Sequence, residues 1–218
     1  MTSPTLGLSS DELLTTTRSV RKRLDYERPV DRAVVEECLS LALQAPNGSN
    51  QQEWQWVVVD DADVKAQLAE LYREGMTHFG SNPYFAGPTP DWSDPALLKI
   101  GNSARTLMDN LHRVPVMVIP TIEARPDGID LFLQANLWGS ILPAVWSFML
   151  ALRDRGLGSA WTTVHLHRER EAADLLGIPH HRYTQAGLFP VAYTLGTDFR
   201  PGPRRPLADV LHWNRWSS

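Results

Sequence analysis

Two arginines that enclose a serine and a valine lie close together near the N-terminus, in the run Arg18-Ser19-Val20-Arg21. Two guanidiniums and a hydroxyl can converge on one phosphate group, because each guanidinium offers paired N–H donors in a fork. The same run could equally form a solvated basic patch on the surface. The pattern alone therefore leaves two interpretations open, a phosphate site and a basic surface patch.

A small polar loop, Pro46-Asn47-Gly48-Ser49-Asn50, connects a predicted helix to an apolar segment that begins at Trp54. Such a loop offers backbone groups and amide side chains beside a rigid scaffold, which suits the edge of a flat ring rich in heteroatoms. Pro46, Asn47, Gly48 and Asn50 are therefore candidate ligand residues. The alternative is an ordinary connection between a helix and a strand, since such connections also use Asn, Gly and Ser.

A third candidate segment runs from Gly156-Leu157-Gly158 to Trp161-Thr162-Thr163. The glycines would let a neighbouring segment or a ligand approach closely, although a helix end followed by a core strand would give the same pattern. The tail contributes a further group of cations at Arg200, Arg204 and Arg205. These arginines are either a second phosphate-binding element or a solubilising terminus.

Several other kinds of site are not supported by the sequence. There is no Gly-x-Gly-x-x-Gly, no glycine-rich loop ending in Lys-Ser or Lys-Thr, and no Gly-x-Ser-x-Gly. His165, His167, His180 and His181 lack the spacing of known metal motifs, so we expect no metal site. Cys38 lies on an apolar helix face and is expected in the core. The net charge of −4 argues against nucleic acid as a partner.

Alternating helical and strand patterns predict a single domain over residues 1–218, of mixed α/β or α+β class. The predicted helices cover about 10–17, 31–45, 63–74, 96–112, 130–155 and 168–176. The predicted strands cover 54–59, 114–122, 159–163 and 185–195. Between them, residues 75–95 are rich in Gly, Pro and aromatics and keep no period. We expect this segment to be an irregular lid or pocket, with Phe79, Tyr84, Phe85 and Trp92 facing an acceptor.

The stretch from Leu131 to Leu152 contains no charged residue and is long enough to span a membrane. Polar residues and Pro143 inside it favour a buried helix, in a large core or a subunit interface. The first ten residues have neither the basic nor the apolar region of a secretory signal. With Cys38 as its single cysteine, the chain is expected to be cytoplasmic, with no membrane partner.

Together and in this order, the three segments resemble the nitroreductase family of FMN proteins, and the similarity extends from about Leu13 to Trp216. The resemblance implies an α+β fold in which helices flank a mixed β-sheet. It also implies an intertwined homodimer with FMN at the interface, much of which is formed by the long apolar helix. The tail, residues 198–218, would wrap around the partner subunit.

The resemblance also implies roles for individual residues. Arg18, Ser19, Val20 and Arg21 would hold the FMN phosphate and ribityl chain, and the tail would add a further arginine. Pro46, Asn47, Gly48 and Asn50 would lie along the flavin ring of the partner subunit. Backbone N–H groups of the 161–163 segment would lie near N5 and O4. The residues carried over in the tail and in this last segment are Arg204 and Arg205 (with Arg200 as a substitute), Trp161, Thr162 and Thr163.

The sequence departs from the family pattern at three places. Arg23 stands where many relatives have Phe, and Glu53 stands where many have Pro before the Trp. Thr162-Thr163-Val164 replaces a segment that often contains Gly or Glu. The resemblance assigns no residue of this chain to the ring-binding Asn and Lys that some members have after the first strand.

The expected activity is an FMN-dependent transfer of hydride from NAD(P)H to nitroaromatics, quinones or similar small electron-poor acceptors, in a ping-pong cycle. No catalytic side chain is expected, because the cofactor carries the chemistry. The alternative is a protein that binds FMN with little turnover, as a flavin store or a redox sensor. A specialised flavin reaction, such as reductive dehalogenation, is a further alternative within enzymes.

Overall fold

Helices cover both faces of an antiparallel sheet in the computed structural model, which describes residues 3–79 and 95–216. The helices are α1 (Ser10–Thr16), α2 (Arg32–Ala42), α3 (Ala62–Phe79), α4 (Pro95–Asn110), α5 (Leu131–Asp154) and α6 (Glu169–Leu176). The strands are β1 (Trp54–Val59), β2 (Val116–Glu123), β3 (Leu157–Ser159), β4 (Tyr183–Gln185) and β5 (Phe189–Tyr193). The predicted α+β class is confirmed.

The sheet is ordered β1-β2-β5-β3, and β4 pairs with the far end of β2. Strands β1 and β2 pair from Trp54 opposite Ile122 to Val59 opposite Met117. All four hydrogen-bonded strand pairs of this sheet are antiparallel. Parallel pairing occurs, in the described ranges, at a single bridge between Ser19 and Ser159. That bridge brings the Arg18–Arg21 segment alongside β3.

Strand β2 is buried on both sides and therefore lies at the centre of the core. Successive side chains of a strand point to opposite faces, and β2 divides its residues accordingly. Val116, Val118 and Ile122 pack with the helices α2 and α5. Met117 and Ile119 pack with α3, α4 and α6. This arrangement explains why β2 reads as an uninterrupted apolar run rather than an alternating one.

Local sequence signals mark several of the helix ends. Ser9 and Glu12 form a reciprocal capping box at the start of α1. The side chains of Asp31 and Asp130 accept backbone N–H bonds at the starts of α2 and α5. Gly177 ends α6 in the left-handed conformation, with φ of 67°.

The first residues of the segment predicted to be irregular, residues 75–95, are helical instead. Helix α3 continues through Gly75 as far as Phe79, and α4 begins at Pro95. Gly75 lies directly against the backbone carbonyl of Val164, so the close approach of another segment explains this glycine better than irregular structure does. Residues 80–94, with Tyr84, Phe85 and Trp92, and the side chain of Phe79 lie outside the described part of the chain.

Two predicted strands are placed differently in the structure. The strand predicted at 159–163 is found at Leu157–Ser159, and Thr162 keeps only an isolated bridge to Leu188. The strand predicted at 185–195 is divided into β4 and β5. The division falls at Gly187, which has φ of 151° and packs against the indole of Trp161. A side chain at Gly187 would collide with that indole, so the bend depends on a residue distant in the sequence.

Helix α5 buries one side in the core and exposes the other. Its buried residues include Leu137, Ile141 and Phe148, whereas Leu131 and Phe132 are 82% and 77% exposed. By length and composition α5 is long and apolar enough to cross a membrane, but 44% of its most apolar stretch is buried inside this single chain. The predicted core role is therefore confirmed for one side, and an apolar stripe remains exposed on the other.

Candidate functional site

A basic cavity of about 510 Å³ lies beside the Arg18–Arg21 segment. Five cationic side chains line it, and no acidic residue does so among those the structure describes. Cations that face one small volume favour the binding of an anion, and of the five only Arg23 has a carboxylate partner, Asp198, in the described part of the chain. The cationic residues are Arg18, Arg21, Lys22, Arg23 and Lys99, and Ser19 and Ser103 add hydroxyls.

The backbone of the Arg18–Arg21 segment is held in place by β3. The N–H of Val20 donates to the carbonyl of Ser159 at 2.8 Å, and the Val20 side chain is only 5% exposed. Because side chains alternate along an extended segment, burial of Val20 directs Ser19 and Arg21 away from the core. The structure thus places the four predicted residues of this segment at one cavity.

Arg23, the position that departs from the family pattern, ties the start of the tail to the body of the protein. Its guanidinium donates to the carbonyl of Leu195 at 2.8 Å and to the Asp198 carboxylate at 2.5 Å. It also lies over the ring of Phe199, 4.4 Å from the centroid. A phenylalanine could make none of these hydrogen bonds, so Arg23 has a defined structural partner that the sequence pattern did not reveal.

Arg204 and Arg205, predicted to approach the phosphate from the tail, do not line the basic cavity of the single chain. Both are exposed, and their guanidiniums donate to the backbone carbonyls of Pro203 and Asp209. The part of the tail that reaches the cavity is Phe199, which lines it. Gly202 also packs directly against the guanidinium of Arg18, so a side chain at this position would displace Arg18.

A larger cavity, of about 1030 Å³, adjoins the basic cavity, and Arg21 and Ile100 line both. Its walls come from α3, α4 and the segment that follows β3. Predicted residues Trp161, Thr162 and Thr163 line it together with Arg21. The structure therefore joins the first and third candidate segments in one continuous site.

Five further polar residues line the larger cavity and were not predicted from the sequence: Tyr72, Arg73, Thr77, Asn102 and Arg105. Asn102 and Arg105 stand three residues apart, a spacing that puts both on one face of α4. That spacing was the available signal, but only the fold shows which face meets the cavity. Tyr72 continues the apolar period of α3 and therefore resembled a core residue.

The Thr162 side chain and backbone are already paired with the core. Its N–H donates to the carbonyl of Leu188 at 3.1 Å, and its Oγ1 donates to the same oxygen at 2.7 Å. The expectation that the Thr162 N–H faces a ligand is therefore wrong, because Leu188 has taken that donor. The N–H of Thr163 donates to no protein acceptor in the ranges 3–79 and 95–216, so Thr163 is the better candidate.

Tyr72 interacts with two other residues that line the larger cavity. Its side chain is 4% exposed and hydrogen-bonds to the side chain of Thr162, with the Arg21 guanidinium nearby. Burial raises the pKa of Tyr72 above its ordinary value, while the charge of Arg21 and the Thr162 bond act in the opposite direction. The phenol therefore stays protonated and can donate a hydrogen bond at neutral pH.

The polar loop at residues 46–50 lies apart from both cavities and packs on α5 instead. The N–H of Gly48 donates to Ser140 Oγ at 2.9 Å, and the Asn47 side chain accepts from the N–H of Gln52 at 3.0 Å. Ser49, Asn50 and Gln52 all have positive φ, between 51° and 54°. Left-handed non-glycine residues are uncommon, and such strain concentrates at functional segments.

Thiol and metal chemistry have no support in the described residues. Cys38 is fully buried, and burial raises the pKa of its thiol to about 11. The thiolate that a nucleophile needs is therefore absent at neutral pH. No group of three or more His, Cys, Asp or Glu side chains within residues 3–79 and 95–216 is arranged to hold a metal ion.

The profile of the family described as "Nitroreductase family" matches residues 14–193. A relative from Archaeoglobus fulgidus, with the provisional name NADH dehydrogenase/NAD(P)H nitroreductase, is 24% identical over 172 residues. The alignment covers 78% of this chain and 77% of that relative.

Solved structures share the fold at low identity. The FMN and NADPH-dependent nitroreductase NfnB from sphigopyxis sp. strain HMH superposes with a TM-score of 0.71 at 21% identity, covering 96% of this chain and 100% of that chain. The BluB-like flavoprotein from Clostridium difficile 630 gives 0.70 at 18%, with the same coverage. Iodotyrosine deiodinase, solved with FMN and 3-iodo-L-tyrosine, gives 0.70 at 22%, covering 94% and 99%.

These likenesses to solved structures establish the fold, and the profile match covers most of the chain. The chain therefore belongs to the nitroreductase family.

Proposed function

We propose that this protein is an FMN-dependent NAD(P)H oxidoreductase that reduces nitroaromatics, quinones or similar small electron-poor acceptors. The observation that carries the proposal is a pair of adjoining cavities, one basic and one mostly apolar. Arg21 lines both of them. A cofactor that consists of a flat ring tethered to a phosphate needs this combination of volumes. The family match and the NAD(P)H nitroreductase relative support the same activity.

The basic cavity fits the phosphate end of FMN. Arg18, Arg21 and Ser19 supply charged donors and a hydroxyl, and Lys22 and Lys99 add positive charge at the same volume. Arg23 at this cavity is paired with Asp198, but Arg18, Arg21, Lys22 and Lys99 have no carboxylate partner in the described part of the chain, so their charge is available to a ligand. Charge-assisted hydrogen bonds of this type are the strong ones.

The larger cavity fits the ring. Apolar side chains such as Met76, Met108 and Trp161 form most of its surface, and Thr163, Asn102 and Arg105 provide a few directed polar groups. Apolar walls with a small number of placed polar groups are typical of cofactor sites. Donors near N5 and O4, and a cation near N1 and O2, would tune the reactivity of the ring.

We further propose that the site is completed in a homodimer. The 46–50 loop has the strained geometry of a ligand-binding segment but lines neither cavity of its own chain. The exposed apolar stripe on α5 and the exposed tail residues Leu207, Trp213 and Trp216 give a second copy an apolar surface to cover. Such a dimer would bury the membrane-length helix, in agreement with a soluble, cytoplasmic protein.

FMN held by these residues would supply the redox chemistry, a transfer of hydride from NAD(P)H to the acceptor in a ping-pong cycle. The protein's part is to bind, orient and exclude water. Arg18 and Arg21 would hold the phosphate, Thr163 and Asn102 would orient the ring edge, and the Tyr72 hydroxyl would donate a hydrogen bond within the cavity. No catalytic triad is required.

The first experiment is the visible spectrum of the purified protein before and after anaerobic addition of NADPH and, separately, NADH. Flavin bands that bleach with a nucleotide and return with a nitroaromatic or quinone are the expected result. Bands that persist would favour a flavin store or redox sensor instead. A protein that is colourless and takes up no added FMN would contradict the proposal.

A further inference from the structure

The exposed side of α5 carries one carboxamide in an otherwise apolar surface. The exposed residues of this helix are Leu131, Phe132, Leu133, Ala135, Asn136, Gly139 and Trp146. The Asn136 side chain makes no hydrogen bond within residues 3–79 and 95–216. Its position on an apolar surface that a dimer would cover therefore calls for a polar partner outside this chain.

Asn136 is in direct contact with the strained 46–50 loop. Its Oδ1 packs against Gly48 so closely that a side chain at Gly48 would collide with it. Ser140, one helical turn further along α5, accepts the Gly48 N–H at 2.9 Å and donates to the Asn136 carbonyl at 2.8 Å. We call Gly48, Asn136 and Ser140 the loop–helix notch, since these contacts fix them as one unit.

A second polar group opens at the same place on α5. In a regular helix each backbone carbonyl accepts a hydrogen bond from the N–H four residues later. Pro143 has no N–H, so the carbonyl of Gly139 lacks this donor. A side chain at Gly139 would meet no neighbour within 4 Å, so the surface there is open. The notch thus offers a carboxamide, which both donates and accepts, next to an uncovered carbonyl.

From this geometry we infer that Asn136 binds the polar edge of the flavin ring held in the larger cavity of the partner subunit. This inference rests on the proposed function, and it adds a residue on the long helix to the cofactor site. Neither Gly48 nor Asn136 lines either of the two cavities described above, so the inference places the ring that meets them in the other copy.

The chemistry of the flavin edge matches that of the notch. The ring edge has an N–H between two carbonyl oxygens. A carboxamide can donate to one of these oxygens and accept from the N–H. Burial of the notch in a dimer without such a partner would leave the carboxamide unsatisfied, which is unfavourable. The flavin edge would therefore supply hydrogen-bond partners for the one polar side chain on the apolar stripe.

The test compares Asn136→Leu with the matched control Gln134→Leu, using FMN and riboflavin titrations of the apo-protein followed by flavin fluorescence. The side chain of Gln134 already donates to the Ile129 carbonyl at 3.0 Å and is two positions away on the same helix. Asn136→Leu should weaken both ligands about tenfold, which corresponds to about 1.4 kcal/mol. Gln134→Leu should change neither, and sedimentation should give the same mass for both variants as for the wild type.

Riboflavin separates a ring contact from a phosphate contact, because it has no phosphate. Weaker binding of FMN alone, unchanged binding of both ligands, or dissociation of Asn136→Leu into monomers would each overturn the inference. A wild-type protein that binds no flavin would instead be a failure of the proposed function, and it is recognised before any variant is compared.

Asn136→Asp provides a second measurement if the leucine variant does not fold. It keeps the shape of the side chain but places a carboxylate at the ring edge. The negative charge should lower the reduction potential of the bound flavin, because reduction adds electrons next to it. A potential equal to that of the wild type would overturn the inference.

Discussion

The N–H of Val20 donates to the carbonyl of Ser159 at 2.8 Å, and through this bond β3 positions the arginines of the basic cavity. The close approach requires Gly158, where a side chain would come within 2.9 Å of Val20 Cβ and 2.6 Å of Thr194 Cγ2. A glycine that follows the long helix α5 thus sets the position of the Arg18–Arg21 segment, which lines the basic cavity.

Gly158→Val should destabilise the fold, because the new methyl groups must push Val20 or Thr194 aside. Overpacking of this kind costs about 1–3 kcal/mol, which lowers the melting temperature by about 2–4 °C per kcal/mol for a chain of this size. The matched control is Ser159→Ala, the next residue, whose buried hydroxyl has no partner in the described part of the chain. Calorimetry that shows equal melting temperatures for Gly158→Val and the wild type would contradict the prediction.

Arg18→Ala should weaken FMN binding and leave riboflavin binding nearly unchanged. Loss of a charge-assisted hydrogen bond costs about 1.5–3 kcal/mol, which corresponds to roughly a tenfold to hundredfold rise in Kd. Arg32→Ala is the control, since Arg32 is exposed and paired with Asp60, away from both cavities. Fluorescence titrations at two salt concentrations would measure both effects, and equal losses for the two ligands would argue against a phosphate contact by Arg18.

The sequence could predict those parts of the fold that depend on neighbours in the chain. Ser9 with Glu12, and Asp130 before α5, are local signals, and they mark helix starts in the structure. Strand β1 covers Trp54–Val59, the run whose β-branched and aromatic residues predict a strand. The bend at Gly187 could not be predicted, because it depends on Trp161, which reaches it only through the fold.

The sequence likewise predicted only those parts of the candidate site that leave a local pattern. The Arg18–Arg21 and 161–163 segments were recognisable because their residue types and order resemble a family. Tyr72 and Asn102 were missed, since a cavity wall formed by two helices from different parts of the chain leaves no local pattern. The role of Arg23 depends on Asp198, which is 175 residues away.

Phe199→Ala should release the tail from the body of the protein. The Phe199 ring lies against two guanidiniums, 4.4 Å from that of Arg23 and 4.9 Å from that of Arg153. Each such contact contributes about 0.5–2 kcal/mol, depending on how far it is desolvated. Trypsin should therefore cleave after Arg204 several times faster in the variant, whereas the bonds after Arg200 and Arg205 precede proline and resist trypsin. Leu207→Ala is the control, since Leu207 is 70% exposed, and equal cleavage rates in the two variants would exclude the anchoring role.

Protonation of the buried His165 should destabilise the protein in mild acid. The imidazole is fully buried, with Nε2 facing Gln185 Oε1 at 3.2 Å, and its Nδ1 has no partner in the described part of the chain. Burial lowers the pKa of His165 from 6.5 to about 4. Between these values the unfolded chain binds more protons than the folded chain, so the free energy of unfolding decreases as the pH falls through this window. The loss approaches about 3 kcal/mol near pH 4.

Urea unfolding at several pH values between 4 and 7 measures this slope directly. His165→Gln cannot titrate, so its free energy of unfolding should vary less with pH in this window, even if the variant is less stable throughout. The control is His180→Gln, because His180 is half-exposed and near the Glu169 carboxylate, 3.4 Å away. Only the His165 variant should flatten the curve. A slope that persists in His165→Gln would assign the acid sensitivity to other groups.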